Sequence, residues 1–458
     1  MSSVFDAIIV GTGQATPLLA EKLVADGQKI AVIEQKSIGG ARINVGHIPI
    51  KSLLASAQVA NYNRRAEDFG VVPSIAVMVD MASVKRRMRS IVDASRVDVE
   101  NRLRRLDRCK VYEGHAEFIS PFEIRVGRSI LQAAHILLDV GARPAVGKFV
   151  LKGLPCFTSS TILDLDQLPQ KLVIIGGGFV GVEFAQIYRR FGADVCVIEK
   201  GSHLVPGEDR DASREITRIF QAEGIEVRLD TECTGIRLGK KGAEVVVDSG
   251  EHQSTIESSH VLLAIGRKPN TDDLAADKAG IHLTEKGYIP VDTRLRSEVS
   301  GIWALGECNG RATHNDTSFY DSEIVAANIL GGQEHPIAER IPAHTLFTDP
   351  PLAQVGKTEA QVRELCGPAL IGFSHMSRVE NAVQKGEAQG FIKILVEAET
   401  RQILGATILG TNADEAIHCL RTAMELGVPT DLLERSMRGH PTIAELIPTL
   451  LGELKSLL

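Results

Sequence analysis

The sequence predicts an α/β protein with two Rossmann-like dinucleotide-binding domains and a further α/β domain at the C-terminal end. Two glycine-rich fingerprints carry this prediction, because each follows an apolar strand, opens a helix and precedes a strand that leads to a glutamate. The chain of 458 residues is long enough for about two to four domains, and its 44% hydrophobic content suffices for several packed cores.

The first fingerprint lies near the N-terminal end of the chain. The apolar run from Val4 to Val10 leads into Gly11-Thr12-Gly13-Gln14-Ala15-Thr16 and a helical pattern, and a second strand from Ile30 to Ile33 ends at Glu34. The glycines allow the backbone to approach a pyrophosphate at the positive end of the helix, and the glutamate is placed to bind a ribose diol. Because Thr16 replaces the third glycine, we expect slightly looser packing of the helix on the strand.

The second fingerprint is a complete G-x-G-x-x-G motif. The strand from Lys171 to Ile175 leads into Gly176-Gly177-Gly178-Phe179-Val180-Gly181, a predicted helix from Val182 to Phe191 follows, and a strand from Asp194 to Ile198 precedes Glu199. Each glutamate lies 21 residues after the second glycine of its own motif (34 − 13 and 199 − 178). Two ordinary glycine turns would not explain both acids, so we predict two bound dinucleotides.

The overall charge argues against some classes of partner. A formal net charge of −7 and a pI near 6.0 do not favour nucleic acid or an anionic membrane surface. The sequence contains no uninterrupted apolar run of the roughly 20 residues that a membrane-spanning helix needs. Because a predicted strand begins directly after the first residues, we expect no signal peptide and a cytoplasmic location.

The seven cysteines are scattered along the chain and form neither a C-x-x-C pair nor a spacing typical of metal ligands. We therefore predict reduced, mostly packed thiols and no metal site. The cysteines are Cys109, Cys156, Cys196, Cys233, Cys308, Cys366 and Cys419.

One segment resembles the redox-active loop of the class I pyridine nucleotide-disulfide oxidoreductases, which include dihydrolipoamide dehydrogenase, glutathione reductase and mercuric reductase. It reads Gly39-Gly40-Ala41-Arg42-Ile43-Asn44-Val45-Gly46-His47-Ile48-Pro49-Ile50-Lys51, where that family has G-G-T-C-x-N-x-G-C-x-P-x-K. Arg42 and His47 therefore occupy the two cysteine positions. Neither side chain cycles between thiol and disulfide, so the resemblance implies a member that lacks the dithiol relay.

The resemblance extends over nearly the whole chain, and the opening Val10 to Gln14 is closest to the mercuric-reductase-like group. The stretch from Ile302 to Glu307 resembles the late flavin motif of the family, and Leu138 to Pro144 and Leu263 to Asn270 resemble the two segments that leave and re-enter the flavin domain. The implied domains are FAD-binding at 1–147 and 269–338, NAD(P)-binding at 148–268, and a C-terminal α/β dimerisation domain at 339–458 that forms a two-fold dimer.

The resemblance also implies catalytic roles for several side chains. Lys51 and Glu183 match an ion pair that lies beside the flavin, where hydride arrives from the nicotinamide. His440 and Glu445 match the family motif H-P-T-x-x-E, whose histidine is the acid–base residue and reaches into the active site of the other subunit. An imidazole near its ordinary pKa transfers protons at neutral pH, and a carboxylate partner fixes its tautomer.

Arg42 and His47 admit two interpretations. Arg42 offers a permanently charged fork for a carboxylate, phosphate or enolate oxygen, and His47 is placed to stack beside the flavin or to donate a hydrogen bond. Alternatively, both side chains only fill the space of the missing cysteines. The predicted cofactor-binding residues are Gly11, Gly13, Gln14, Glu34, Gly40, Lys51, Gly141, Gly176, Gly178, Gly181, Glu199, Gly266, Gly306 and Glu307.

The sequence thus predicts a homodimeric, FAD-dependent NAD(P)H oxidoreductase that reduces a small acceptor directly from the flavin, with a quinone as the leading acceptor class. Reduction of a conjugated C=C or C=N bond and NAD(P)H oxidase activity are alternatives among enzymes. A flavin-binding scaffold or regulatory protein without turnover is an alternative of another class. Glu199 favours NADH, whereas the neighbouring Lys200 and His203 leave NADPH possible.

Overall fold

The computed structural model describes residues 3–72, 78–147, 149, 153–250, 252–311, 316–331, 341–365, 367–436 and 439–457. The boundaries predicted at 147/148 and 338/339 involve residues outside these ranges, and the domain limits stay predictions. The described residues form the predicted mixed α/β architecture, in which several sheets are covered by helices.

The elements of the first region surround one large sheet. The strands of this region are β1 (Ser3–Val10), β2 (Ile30–Glu34), β3 (Cys109–Glu113), β4 (Ala116–Ser120), β5 (Glu123–Val126), β6 (Ser129–Leu138) and β7 (Ala142–Pro144), of which β7 lies outside the large sheet. Its helices are α1 (Thr16–Ala25), α2 (Gly40–Asn44), α3 (His47–Arg64) and α4 (Met81–Arg104).

The second and third regions follow along the chain. The second contains β8 (Cys156–Thr158), β9 (Lys171–Ile175), β10 (Asp194–Ile198), β11 (Glu226–Arg228), β12 (Glu232–Gly239), β13 (Gly242–Asp248), β14 (Gln253–Ser258), β15 (His260–Leu263) and β16 (Arg267–Pro269), with helices α5 (Phe179–Phe191) and α6 (Arg210–Ala222). The third contains β17 (Ile302–Ala304), a 3-10 turn (Gly306–Asn309), α7 (Asp316–Ile329), β18 (Ala343–Leu346), β19 (Leu352–Gly356), α8 (Glu359–Leu365), β20 (Ala369–His375), α9 (Glu380–Gln384), β21 (Phe391–Glu397), β22 (Ile403–Leu409), α10 (Ala413–Glu425), α11 (Thr430–Ser436), α12 (Leu446–Gly452) and β23 (Lys455–Ser456).

The first sheet brings the ends of three parallel strands together. Its strand order is β3-β2-β1-β6-β5-β4, and β17 adds parallel to β6. Val10 at the end of β1 pairs with Ile33 of β2 and with Leu138 of β6. Glu34 and Asp139, which follow these partners, therefore lie at the carboxyl edge of the sheet, where open α/β sheets bind their ligands.

The second sheet repeats this arrangement. Its parallel strands have the order β11-β10-β9-β15-β8. Ile175 at the end of β9 pairs with Ile198 of β10 and with Leu263 of β15, so Gly176 and Glu199 lie at the same carboxyl edge. The antiparallel pair of β7 and β16 joins the two segments predicted to leave and re-enter the flavin domain, with Pro144 to Ala142 opposite Arg267 to Pro269.

The predicted helix after the second fingerprint begins earlier than expected. The sequence indicated a start at Val182, whereas α5 begins at Phe179 and is preceded by Gly178 in extended conformation (φ −76°, ψ −176°). The last residues of the fingerprint are thus the first turn of the helix. The backbone N–H groups of this turn consequently point towards the space at the edge of the sheet, as anion binding at a helix N-terminus requires.

The C-terminal region packs against both nucleotide-binding regions. Its antiparallel sheet has the order β18-β19-β22-β21-β20-β23. One apolar core combines buried side chains of α3, α5, β18 and β19. On α5, Gln186 and Arg190 hold the loop between β18 and β19: Asp349 donates its N–H to Gln186 Oε1 at 2.7 Å, and its backbone carbonyl accepts from Gln186 Nε2 at 2.7 Å and from Arg190 Nη2 at 3.0 Å.

Candidate active site

The carboxyl edge of the first sheet encloses a cavity of about 380 Å³. Most residues predicted to bind FAD contribute to its wall, which shows that the fold brings them together. The predicted residues in the wall are Gly11, Gly13, Gln14, Glu34, Gly40, Arg42, Gly141 and Glu307. Gly266 and Gly306 directly precede the wall residues Arg267 and Glu307 in the chain.

The turn after β1 needs glycine because the neighbouring strand lies too close for a side chain. Gly11 has a φ of +99°, and a Cβ atom there would lie 2.2 Å from the carbonyl oxygen of Asp139. The turn thus presents bare backbone to the cavity. The side-chain oxygen Gln14 Oε1 is buried without a hydrogen-bond partner among the described residues. Bare backbone N–H groups at a helix start fit the pyrophosphate part of FAD.

Thr16 does not loosen the packing as the sequence suggested. Its side chain is fully buried, and its hydroxyl lies 2.8 Å from Asp139 Oδ2 and 3.1 Å from the carbonyl oxygen of Gly11. The hydroxyl thus ties the helix to the end of β6 and to the turn. Sequence reasoning missed Asp139 because it lies 123 residues from Thr16 and belongs to no fingerprint.

The two acids predicted to bind the flavin nucleotide already have partners in the chain. Glu34 accepts from the hydroxyl of Thr12 at 2.5 Å and from the N–H of Lys36 at 2.9 Å. Glu307 pairs with Arg267, whose Nε atom lies 2.7 Å from Oε1. Arg267 belongs to the segment from Leu263 to Asn270 and was not predicted as a site residue, but it lines the cavity. Each carboxylate retains lone pairs for a sugar hydroxyl.

The second fingerprint forms a similar cradle. Gly176 has a φ of +107°, and a Cβ atom there would meet the carbonyl oxygen of Ala264 at 2.4 Å, whereas the space around a Cβ at Gly178 is open. A Cβ at Gly181 would lie 2.0 Å from the carbonyl oxygen of Gly176, so this glycine permits the close approach of helix and turn. These observations fit a dinucleotide with its pyrophosphate over Gly178.

Glu199 is tied to the phosphate turn. Its side chain is buried, and it accepts from the N–H of Gly177 and from the N–H of Gly201, both at 2.7 Å. These bonds fix the carboxylate at the end of β10, next to the turn that would hold the pyrophosphate. A carboxylate fixed in this place binds a free ribose diol and repels a 2′-phosphate.

Lys51 and Glu183 form the ion pair that the resemblance implied. Lys51 Nζ lies 2.7 Å from Glu183 Oε1 and 3.7 Å from the centre of the Phe347 ring. The backbone N–H of Phe347 donates to the same Glu183 oxygen at 3.0 Å. Burial lowers the pKa of Lys51, and the adjacent Glu183 carboxylate acts in the opposite direction. No pattern in the sequence predicted this contact.

Arg42 and His47 lie on the consecutive helices α2 and α3, which a short connection joins. The amide of Asn44, the last residue of α2, donates to the backbone carbonyls of Gly40 at 2.9 Å and Ile38 at 3.1 Å and so ties the end of α2 to the segment that enters it. The side chain of Arg42 is exposed and lines the flavin cavity. The pKa of His47 falls to about 4, chiefly through burial and further through the positive charges of Lys51 and Arg42.

The ring of His47 also contacts Phe347. The two ring centres lie 6.0 Å apart with the planes nearly perpendicular, in an edge-to-face arrangement. The low pKa keeps the imidazole neutral at neutral pH, so it is able to donate or accept a hydrogen bond but does not carry charge. Lys51 and His47 thus share one aromatic support, and a loop of the C-terminal region positions both.

His440 and Glu445 form a hydrogen-bonded pair, with 2.8 Å between Nδ1 and Oε2. On its other side, Nε2 of His440 lies 3.7 Å from Oε2 of Glu380. The imidazole is 65% exposed in the single chain. Its predicted position in the active site of a second subunit stays a prediction.

The described thiols do not line the flavin cavity, although the buried Cys308 lies directly behind its wall at Asp139. The described cysteines are free of disulfides, none of them lines the cavity, and Cys366 lies outside the described residues. Burial raises the pKa of Cys109 and Cys156 to about 11 and that of Cys196 and Cys308 to about 12, so these thiols stay protonated and unreactive at neutral pH.

Two further kinds of feature are absent from the described residues. No helix in the described ranges has both the length and the apolar character needed to cross a membrane. No group of three or more His, Cys, Asp or Glu side chains in those ranges is arranged to hold a metal ion.

Comparison with known proteins extends these observations to the whole chain. Residues 5–326 match the family profile described as pyridine nucleotide-disulphide oxidoreductase, and residues 342–451 match the dimerisation domain of that family. Dihydrolipoyl dehydrogenase of Bacillus subtilis is 31% identical over 443 residues, which cover 95% of this chain and 96% of the relative. The probable pyridine nucleotide-disulfide oxidoreductase RclA of Escherichia coli is 30% identical over 463 residues, which cover 98% of this chain and 99% of the relative.

Solved structures agree with the sequence relatives. The HOCl-induced flavoprotein disulfide reductase RclA from Escherichia coli has a TM-score of 0.88 at 30% identity, and the match covers 98% of this chain and 99% of that chain. Its Cu(II) complex has a TM-score of 0.89 and covers 99% and 100%, respectively. The predicted fold class and family are thereby confirmed. The chain belongs to the pyridine nucleotide-disulphide oxidoreductase family, whose members are flavin-dependent oxidoreductases that use FAD and a nicotinamide dinucleotide.

Proposed function

We propose that the protein is a homodimeric NAD(P)H oxidoreductase that passes electrons from reduced FAD directly to a small acceptor such as a quinone, without a cysteine relay. The observation that carries this proposal is the pair of side chains at the missing cysteine positions. Arg42 lines the flavin cavity with an exposed guanidinium. His47 lies close enough to Arg42 to feel its charge, and its imidazole is neutral. Neither group accepts an electron pair as a disulfide does, so electrons leave the site by another route.

The reductive half-reaction relies on Lys51 and Glu183. FAD, when bound, supplies the ring that accepts hydride from the nicotinamide. Lys51 supplies a positive charge for the negative charge that develops there, which is the kind of preorganised electrostatic stabilisation that active sites use. Glu183, at 2.7 Å, and the face of Phe347, at 3.7 Å, both favour the charged form of the ammonium in its partly buried position.

The oxidative half-reaction relies on Arg42 and His440. The guanidinium stays charged at every physiological pH and offers parallel N–H donors to the oxygens of an anionic or quinonoid acceptor. His47, with a pKa of about 4, supplies no imidazolium proton at neutral pH. We therefore assign proton donation to His440, whose tautomer the hydrogen bond to Glu445 fixes at 2.8 Å. In the proposed dimer this imidazole faces the flavin of the other subunit.

NADH is the proposed electron donor. Glu199 is fixed at the end of β10 by two backbone N–H groups at 2.7 Å. Its charge disfavours the 2′-phosphate of NADPH, while the exposed Lys200 next to it reduces that discrimination. Dimer formation is supported by the match of residues 342–451 to the dimerisation domain of the family.

An anaerobic two-step experiment tests this function. The purified yellow protein is mixed with NADH, and the loss of flavin absorbance is followed; a quinone, dioxygen, an enone and an oxidised dithiol are then offered separately to the reduced protein. We expect rapid bleaching by NADH and rapid recovery with the quinone. If the oxidised dithiol is the only acceptor that restores the flavin absorbance, a thiol relay operates after all. Failure of both NADH and NADPH to bleach the flavin would support a flavin-binding scaffold without turnover.

A further inference from the structure

The flavin cavity contains a carboxyl group that no fingerprint accounts for. Asp139 follows β6, is 6% exposed and lines the cavity. Its two carboxyl oxygens would each lie 2.6 Å from a Cβ atom at Gly13, so the group packs directly against the turn that approaches the pyrophosphate of FAD. An ionised carboxylate in that place would repel the pyrophosphate.

The contacts of Thr16 are fully satisfied when Asp139 carries a proton. The hydroxyl of Thr16 lies 2.8 Å from Asp139 Oδ2 and 3.1 Å from the carbonyl oxygen of Gly11. A hydroxyl carries one proton, and the carbonyl oxygen only accepts hydrogen bonds. Both contacts are two-centre hydrogen bonds at the same time when Asp139 donates to Thr16 while Thr16 donates to Gly11; without that proton, Thr16 has to share its single proton between two acceptors.

The charges that face Asp139 favour the same protonated state. The pKa of Asp139 is raised to about 7, chiefly by burial and further by the charges of Asp321 on α7 and Glu34 at the end of β2, while hydrogen bonding from Thr16 acts in the opposite direction. Asp321 accepts from the N–H of Gly306 at 2.8 Å. The buried thiol of Cys308 also lies near Asp139. Two arginines of the cavity wall are already paired with other carboxylates, Arg267 with Glu307 and Arg143 with Asp272.

We propose that Asp139 is protonated in the FAD-bound protein and that FAD binding is therefore linked to the uptake of one proton. In this state Asp139 donates to Thr16, Thr16 donates to the Gly11 carbonyl, and the turn faces the pyrophosphate without a neighbouring carboxylate charge. Thr16, which replaces the third glycine of the fingerprint, and Asp139 then act together in FAD binding. This role concerns FAD binding and does not depend on which acceptor is reduced.

The sign of the linkage follows from which form binds FAD. The protonated form predominates below the pKa of the cofactor-free protein, so affinity is highest there. Above about pH 7 each FAD that binds brings one proton, and the dissociation constant rises by up to about tenfold per pH unit until the pKa of the bound form is reached.

FAD affinity and proton uptake measure this linkage without an activity assay. Flavin release from the holoprotein is followed by fluorescence between about pH 6 and pH 9, and protons taken up on reconstitution are counted in weak buffer with an indicator dye. Wild type should take up about one proton per FAD near pH 8. Absence of both the uptake and the pH dependence in wild type overturns the proposal, even if every variant fails to fold.

Two variants assign the proton to Asp139. In Asp139→Asn the amide donates to Thr16 as the protonated acid does, so this variant should match wild type near pH 6, bind FAD about ten- to hundredfold more tightly than wild type near pH 9, and take up no proton. His115 also lines the cavity, so His115→Gln is the matched control and should keep the linkage. Loss of the linkage in His115→Gln, or its persistence in Asp139→Asn, would contradict the role of Asp139.

Discussion

Phe347 and Glu183 come from different regions of the chain, yet the backbone N–H of Phe347 donates to the carboxylate oxygen of Glu183 that also binds Lys51. The distances are 3.0 Å and 2.7 Å. The charge state of Lys51 therefore depends on a carboxylate whose position is set by a loop of the C-terminal region.

Replacement of Glu183 should alter the pH dependence of flavin reduction. In Glu183→Gln the partly buried Lys51 loses its carboxylate partner, so its pKa falls further and it loses its proton at a lower pH than in wild type. We expect the rate of flavin reduction by NADH to decline at a correspondingly lower pH and to be about tenfold slower near pH 8. Rapid-mixing kinetics measure this rate. Glu445→Gln is the matched control, and an unchanged profile in Glu183→Gln would refute the role of the pair.

Arg42 and His440 should affect only the oxidative half-reaction. Arg42→Ala removes the donor to the acceptor, and because the guanidinium is exposed we expect a loss of at most about 100-fold in reoxidation, the lower end for preorganised charge donors. His440→Ala should lose about 100-fold or more. Both variants should be reduced by NADH at near wild-type rates. If Arg42→Ala and Arg42→Lys both reoxidise as wild type does with every acceptor, Arg42 only fills space.

The preference for NADH should depend on Glu199. In Glu199→Gln the side chain keeps an acceptor for the N–H of Gly177 or Gly201 but loses the charge that repels a 2′-phosphate. We expect the ratio of kcat/KM for NADH to that for NADPH to fall by about tenfold. Steady-state kinetics with both donors measure the ratio. If the kcat/KM of the wild type is the same for NADPH and for NADH, this expectation has no basis.

The thiols should take no part in electron transfer. Because burial raises the pKa of the thiols of Cys109, Cys156, Cys196 and Cys308, we expect no long-wavelength thiolate–flavin absorbance on reduction and no loss of activity after treatment with an alkylating reagent. Arg42→Cys combined with His47→Cys should introduce that absorbance. Its appearance in wild type would reveal a cysteine at the flavin.

His47 should make the fold sensitive to acid. The pKa of His47 is about 4 in the folded protein, whereas an unperturbed histidine has a pKa of 6.5. The unfolded chain therefore binds the proton first as the pH falls. The stability held by the neutral imidazole is complete above about pH 6.5 and is lost towards pH 4, by up to about 3 kcal/mol. His47→Gln should therefore lose less thermal stability than wild type between these pH values. The exposed His252→Gln is the control and should lose as much as wild type.

Local patterns in the sequence were sufficient to predict the two glycine-rich turns that would hold the dinucleotides, but not all of the residues around them. The strands that end at Val10, Glu34, Ile175 and Ile198 are short apolar runs next to glycine turns, and a local pattern determines such runs. The start of α5 at Phe179 was missed because Gly178 serves as the residue before the helix instead of as part of a longer turn.

The missed residues of the site are those that reach it through long-range contacts. Phe347 lies 164 residues from Glu183, and Asp139 lies 123 residues from Thr16. No spacing in the sequence encodes such a pair, because the contact exists only after separate elements have packed together. Thr16 was a visible departure from the fingerprint. Because a buried hydroxyl needs a hydrogen-bond partner, this departure could have predicted a polar residue near Thr16.

The contact of Phe347 with Lys51 has a consequence for the order in which the protein matures during synthesis. The first sheet is complete once β17, which ends at Ala304, has left the ribosome, and by then the second fingerprint and its sheet have also emerged. Phe347 follows later, so the growing chain possesses both nucleotide cradles before Lys51 acquires its aromatic neighbour. In a nascent chain at that stage the pair of Lys51 and Glu183 lacks both the ring and the backbone N–H of Phe347, which reach it only when the C-terminal region has docked.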